Sequence, residues 1–114
     1  YAEYQEYSRT RVARQRTTEL ASALYYTDSA LTAEQARRVE QILAQSDTDY
    51  RAGKSVGHYS MDWDQVMTQV PDVLSTRQLE ALNGIRAMVR YTQASYEAHI
   101  AELVAARKRA APTN

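Results

Sequence analysis

Few side chains in this sequence could do acid–base or metal chemistry. His58 and His99 are the two histidines. Asp62 and Asp64 follow His58 closely enough to sketch a metal site with it. A metal needs three or four ligands converging from fixed elements, which this spacing does not supply. Two unrelated surface histidines is the plainer reading, and neither a metal nor another cofactor is expected. Asp62 and Asp64 stand two apart at a helix start, where the first caps and both suit the positive end of the dipole. Gly53-Lys54-Ser55 matches the end of a phosphate-binding loop, but the first glycine and the preceding apolar strand are missing. The serines fall at caps or in loops, so no Ser-His-Asp arrangement is indicated. No enzyme is expected.

Aromatic surface is the remaining candidate. The chain has nine Tyr, one Trp and no Phe, and tyrosine combines a large apolar face with a polar tip. Tyr25, Tyr26, Tyr50, Tyr59, Trp63, Tyr91 and Tyr96 exceed what one buried face per helix needs. Adjacent Tyr25 and Tyr26 cannot both face one core, and Tyr91 lies off the seam that Tyr96 follows. Tyrosine either replaces phenylalanine at half-buried positions or builds a protein-binding or dimer surface, where Tyr, Trp, Met and Arg are over-represented. On the second reading the binding residues are Tyr25, Tyr26, Tyr59, Trp63, Met67 and Tyr91. Trp63 and Met67 lie beside the Gly53–Gly57 loop and before Pro71. This segment is expected to open locally and expose an adaptable apolar surface; the alternative is that Trp63 is a plain core residue.

These residues need a scaffold, and the sequence marks it with helix starts. In Leu31-Thr32-Ala33-Glu34-Gln35, Thr32 can cap a helix while Gln35 reaches back to the Thr32 N–H, a capping box with Leu31 before it. Leu74-Ser75-Thr76-Arg77-Gln78 repeats the arrangement, and Met61-Asp62-Trp63-Asp64-Gln65 offers a third version. The two outer copies, through Leu31, Thr32, Gln35 and Leu74, Ser75, Gln78, resemble the Leu-Thr-x-x-Gln motifs of the Spy/CpxP group of bacterial periplasmic stress proteins. The second copy carries Ser for Thr, which keeps the capping hydroxyl. The copies also lie closer together than in that group, and a full helix precedes the first. The resemblance covers about ten residues. It implies a periplasmic stress-associated protein, chaperone-like or a signalling adaptor, with a protein partner or client.

Helical spacing connects these starts. Glu3 to Thr27 holds no Gly or Pro and reads as one long first helix with Ala13, Thr17, Leu20 and Leu24 on its buried face. Its N-terminal half, with Tyr1, Tyr4, Tyr7 and Arg9, Arg11, Arg14, Arg16, reads as a solvated face or an amphipathic arm for a partner chain or membrane surface. After a short polar break, a second helix runs from Ala33 to about Tyr50, burying Ala36, Val39, Ile42, Leu43, Ser46 and Tyr50, with Glu34 set to pair with Arg38. Arg51 to Ser60 reads as the one real loop, a hinge or a partner contact. Asp62 to Gln69 is a short helix that turns Trp63, Val66, Met67 and Val70 inward and ends at Pro71. Ser75 starts the longest helix, to about Arg107, with Leu79, Leu82, Ile85 or Arg86, Val89, Tyr96, Ile100 and Leu103 as its seam. Asn83-Gly84 lies inside it.

The expected fold is therefore all-α: a small antiparallel bundle of three to four helices with long first and last members. Residues 1–107 form one domain and 108–114 a flexible tail. A chain of 114 residues can bury a core without staples. Fourteen basic and fourteen acidic residues argue against a nucleic-acid binder, which would carry a basic excess. Cysteine is absent, which excludes thiolate chemistry, and no apolar run approaches a membrane span. The start at Tyr1 suggests that a leader, a membrane tether or a neighbouring domain precedes it, although cloning would leave the same trace. The long end helices suggest a homodimer, and the alternative function is the ectodomain of a single-pass signalling protein that dimerises through them.

Overall fold

Two of the three helix starts act as capping boxes. A computed structural model describes residues 1–110. In it the Thr32 hydroxyl accepts from the Gln35 N–H at 3.1 Å while the Gln35 carbonyl oxygen accepts from the Thr32 N–H at 3.0 Å. Ser75 and Gln78 make the same exchange at 3.3 and 2.9 Å. Helix α3 (Ala33–Gln45) follows the first box and α6 (Thr76–Ala110) the second. The third start is one-sided. Asp62 accepts from the Gln65 N–H at 3.2 Å, but the Asp62 N–H donates to the Ser46 carbonyl rather than to Gln65.

The described residues hold six α-helices and one turn of 3-10 helix, where the sequence pointed to three or four helices. The extra breaks have local causes. The first helix divides into α1 (Ala2–Arg9) and α2 (Arg11–Leu24) at Thr10. There the Thr10 hydroxyl donates back to the Glu6 and Tyr7 carbonyls, at 3.1 and 3.2 Å, a bond that bends helices. The Arg9 carbonyl meanwhile accepts from the Val56 N–H at 2.8 Å, a partner outside the helix. The second helix stops at Gln45, because Asp47 caps a new single turn, α4 (Thr48–Arg51), by accepting from the Tyr50 N–H at 2.9 Å. Helix α5 (Trp63–Gln69) runs into the 3-10 turn Val70–Asp72 around Pro71.

Helix α2 packs on both α3 and α6. Its Ala13, Thr17, Leu20 and Leu24 meet Val39, Ile42 and Leu43 of α3 and Leu82, Ile85 and Val89 of α6 in one core. Trp63, Val66 and Val70 close one side of it. Truncating a fully buried leucine such as Leu43 or Leu82 to alanine would cost about 2–5 kcal/mol. Val12, Ala44 and Val56 are also buried, though none stands on the expected seams. Glu34 pairs with Arg37 rather than Arg38, through a two-pronged contact of 2.6 and 3.1 Å. That hydrogen bond holds the Glu34 carboxyl below its ordinary pKa and raises Arg37.

The last helix departs most from expectation. It spans 35 residues, about 52 Å at 1.5 Å per residue, and it sets the longest dimension of a 64 × 36 × 23 Å molecule. Its seam is buried only as far as Val89. Tyr96, Ile100 and Leu103, expected to continue into the core, are exposed, because among the described residues no other helix packs along that part of α6. Lys108 to Ala110 are helical where a tail was expected, and the remainder of that tail, 111–114, lies outside the described residues. Gly84 sits within the helix, as its surroundings implied. Among the described residues, no helix is long and apolar enough to cross a membrane.

Candidate functional site

Beyond their caps, the two boxes interlock. Each Gln carbonyl oxygen is held by the N–H of its own cap residue, so each NH2 group points across to the other helix start. Gln35 Nε2 donates to Gln78 Oε1 at 3.0 Å, and Gln78 Nε2 donates to Gln35 Oε1 at 3.1 Å. The spare donors reach carbonyls of the neighbouring turns: Gln35 to Val73 at 3.0 Å, Gln78 to Ser29 at 3.0 Å. Those carbonyls can only accept, so the network fixes both amide orientations. Gln78 is buried and Gln35 half-buried. With Leu74 buried and Leu31 half-buried against the core, the motif residues form a paired clasp that fastens α3 to α6. Its role is positional, since its amides have no spare group facing solvent chemistry.

The opposite side of the core carries a second polar assembly, which sequence reasoning missed. Asp47 is fully buried. One carboxylate oxygen caps α4, and the other accepts from Ser60 Oγ at 2.7 Å. Ser60 Oγ accepts in turn from the Gly57 N–H at 3.1 Å, and the Ser60 carbonyl accepts from the Thr48 N–H at 3.0 Å. Asp47 and Met61 form an isolated antiparallel bridge. A side chain at Gly57 would collide with Ser60 Oγ. Arg9 ties the same loop to α1: its guanidinium donates to the Lys54 and Tyr50 carbonyls, at 3.0 and 3.1 Å, and lies 4.3 Å from the Tyr50 ring centroid. The Tyr50 hydroxyl donates to the Glu6 carboxylate, and that bond, then burial, raises its pKa above the ordinary phenol range. Far from a loose hinge, residues 51–60 are pinned at both ends. The one signal available in the sequence was Asp47 followed by Thr48, a plausible N-cap that the expected long helix obscured.

Trp63 faces the core, as the spacing of its helix implied. Its side chain is buried and Met67 half-buried, so neither presents a free surface in this conformation. Tyr59 is exposed and packs 6.2 Å from the Tyr96 ring at the base of the free part of α6. Tyr91 is exposed on the far side of the same helix. Tyr25 and Tyr26 form an edge-to-face pair, centroids 4.8 Å apart, at the end of α2, and line a shallow apolar depression with Thr18, Ala21 and Ser22. The six candidate residues are thus not gathered at one place. Eight of the nine tyrosines are exposed, and Tyr50 alone takes the half-buried place against the core that a phenylalanine could fill.

The N-terminal turns also divide. Tyr1, Tyr4 and Tyr7 are exposed and α1 buries no residue, yet Arg9 and Arg14 are occupied, Arg14 lying 3.5 Å from the Tyr7 ring centroid. His58 and His99 are both exposed. Among the described residues, no group of three or more His, Asp or Glu side chains is placed to hold a metal.

Compared with protein-family models, curated proteins and solved structures, the chain shows no significant match to any of them.

Proposed function

We propose that this chain is a non-enzymatic protein-binding domain, a small antiparallel bundle whose polar clasp keeps the helices rigid while exposed aromatic side chains meet a protein partner or client. The observation that carries this reading is the tyrosine surface, eight of nine side chains standing in solvent. Tyrosine there gives large contact area with little side-chain entropy to lose. Tyr25 and Tyr26, side by side over an apolar depression, are the first contact to expect. The likeness of the paired boxes to the Spy/CpxP group supports a periplasmic, stress-associated setting, chaperone-like or as a signalling adaptor. In solution, the protein should suppress light scattering by a chemically reduced, unfolded model protein at near-stoichiometric ratios. The double substitution Tyr25→Ser/Tyr26→Ser should weaken that suppression while leaving the denaturation midpoint in place. Scattering that is the same with and without the protein removes the client-binding reading.

A second reading, the dimerising ectodomain of a single-pass signalling protein, is favoured by a separate observation. The outer part of α6 carries an apolar seam, Ile100, Leu103 and Val104, that stands exposed, with Tyr59 against Tyr96 at its base.

A further inference from the structure

Helix α6 leaves the body at about Val89, its last buried residue, and continues to Ala110. The free part is roughly 20 residues, about 30 Å long. The seam that faces the core through Leu82, Ile85 and Val89 does not end there. It runs on in the same line through Tyr96, Ile100, Leu103 and Arg107, with Val104 beside it. These apolar side chains are 40–56% exposed. The steps between the four seam residues are four, three and four, the spacing of a coiled-coil seam.

We propose that this arm pairs antiparallel with the same segment of a second copy. The proposal rests on the dimerising reading above and adds the segment, direction and register. Three features select this occupant. The steps read the same backwards, so a two-fold axis between Ala101 and Glu102 brings Tyr96 opposite Arg107 of the second copy, and Ile100 opposite its Leu103. Both contacts then occur twice, as an isologous interface requires. The aromatic–cation pairing is favourable, since a guanidinium is attracted to the face of a tyrosine ring. Parallel pairing would instead set Arg107 against Arg107 in the seam.

Charge on the flanks gives the same direction. At 100° per residue, Glu97 and Lys108 share one flank of the seam, and Thr92 and His99 share the other. Antiparallel pairing apposes like flanks, which places Glu97 of each copy within reach of Lys108 of the other. Parallel pairing turns the Glu97 flank to the Thr92 and His99 side, where no basic lysine or arginine waits.

Length is the third feature. With the axis at that point, Ala110 of one copy lies opposite Gln93 of the other. Gln93 is half-buried at the edge of the body, so the described part of the arm, to Ala110, pairs along its length without meeting the partner's core.

Sedimentation and cysteine cross-linking on the full chain test this, and the absence of native cysteine leaves no background. The protein should sediment as a dimer at high micromolar concentration. Leu103→Glu, on a solvent-facing position, should return it to a monomer with an unchanged helical spectrum. Glu97→Lys should weaken association about tenfold, and the added Lys108→Glu should restore it. A mixture of Tyr96→Cys and Arg107→Cys proteins should form the mixed disulfide rather than either homodisulfide. A monomer throughout overturns both this proposal and the dimerising reading. A dimer indifferent to Leu103→Glu, or one that forms the 96–96 disulfide, overturns the antiparallel arm alone and leaves that reading standing.

Discussion

If the interlocked glutamines fasten α3 to α6, removing one should cost more than a helix cap, and removing both should cost less than the sum. Gln78 is the sharper probe because it is 4% exposed. Its amide accepts from the Ser75 N–H at 2.9 Å and from Gln35 at 3.0 Å, and donates to Ser29 at 3.0 Å and to Gln35 at 3.1 Å. A neutral hydrogen bond is worth about 0.5–1.5 kcal/mol net, and a buried partner left unsatisfied adds to the loss. Gln78→Ala should therefore lower stability by about 2–4 kcal/mol. Gln35 is half-buried, so water can reach part of what its loss leaves bare, and Gln35→Ala should cost about 1–2 kcal/mol. The two residues share two direct bonds, which predicts a coupling of about 1–2 kcal/mol in a double-mutant cycle. Urea denaturation of the four proteins reads it, provided the slope with denaturant stays constant. Losses that add to within about 0.5 kcal/mol would mean that the glutamines act only within their own helices.

Other outcomes follow from single residues. Thr32→Ala and Ser75→Ala should each cost about 1 kcal/mol by the same denaturation assay, the usual value for a lost N-cap. No loss in either would remove the capping role. Gly84 lies inside α6, and a Cβ there would meet nothing within 4 Å. Gly84→Ala should thus raise stability by about 1 kcal/mol, and a destabilised variant would show that the helix needs flexibility there. Tyr50 is hydrogen-bonded to Glu6, which raises its pKa. The neutral phenol is the form favoured by folding, so its stabilising contribution is present below the unfolded value near 10 and is lost as pH rises through the higher folded value. Ultraviolet titration should show a component above the ordinary phenol range, and Tyr50→Phe should remove it; a titration unchanged by the substitution would show that Glu6 does not hold it.

The starts of the helices were legible because capping is local chemistry. Thr32 with Gln35, and Ser75 with Gln78, satisfy orphan N–H groups within four residues, so spacing alone marks where α3 and α6 begin. Periodicity then identified the inner faces at Ala13, Leu20, Val39, Leu43, Leu82 and Val89, because a 3.6-residue repeat follows from helix geometry and burial alone. Three things depended on distant parts of the chain. Pairing between Gln35 and Gln78 needs two turns 43 residues apart to meet, and the same side chains would cap either helix in isolation. The break at Thr10 is completed by Val56, and the anchored loop by buried Asp47, contacts that no window of neighbouring residues contains. The seam of α6 looks alike on both sides of Val89, since periodicity records which face is apolar and not whether anything covers it. Only the tertiary structure decided that the partners α2 and α3 end where they do, leaving Tyr96, Ile100 and Leu103 in solvent.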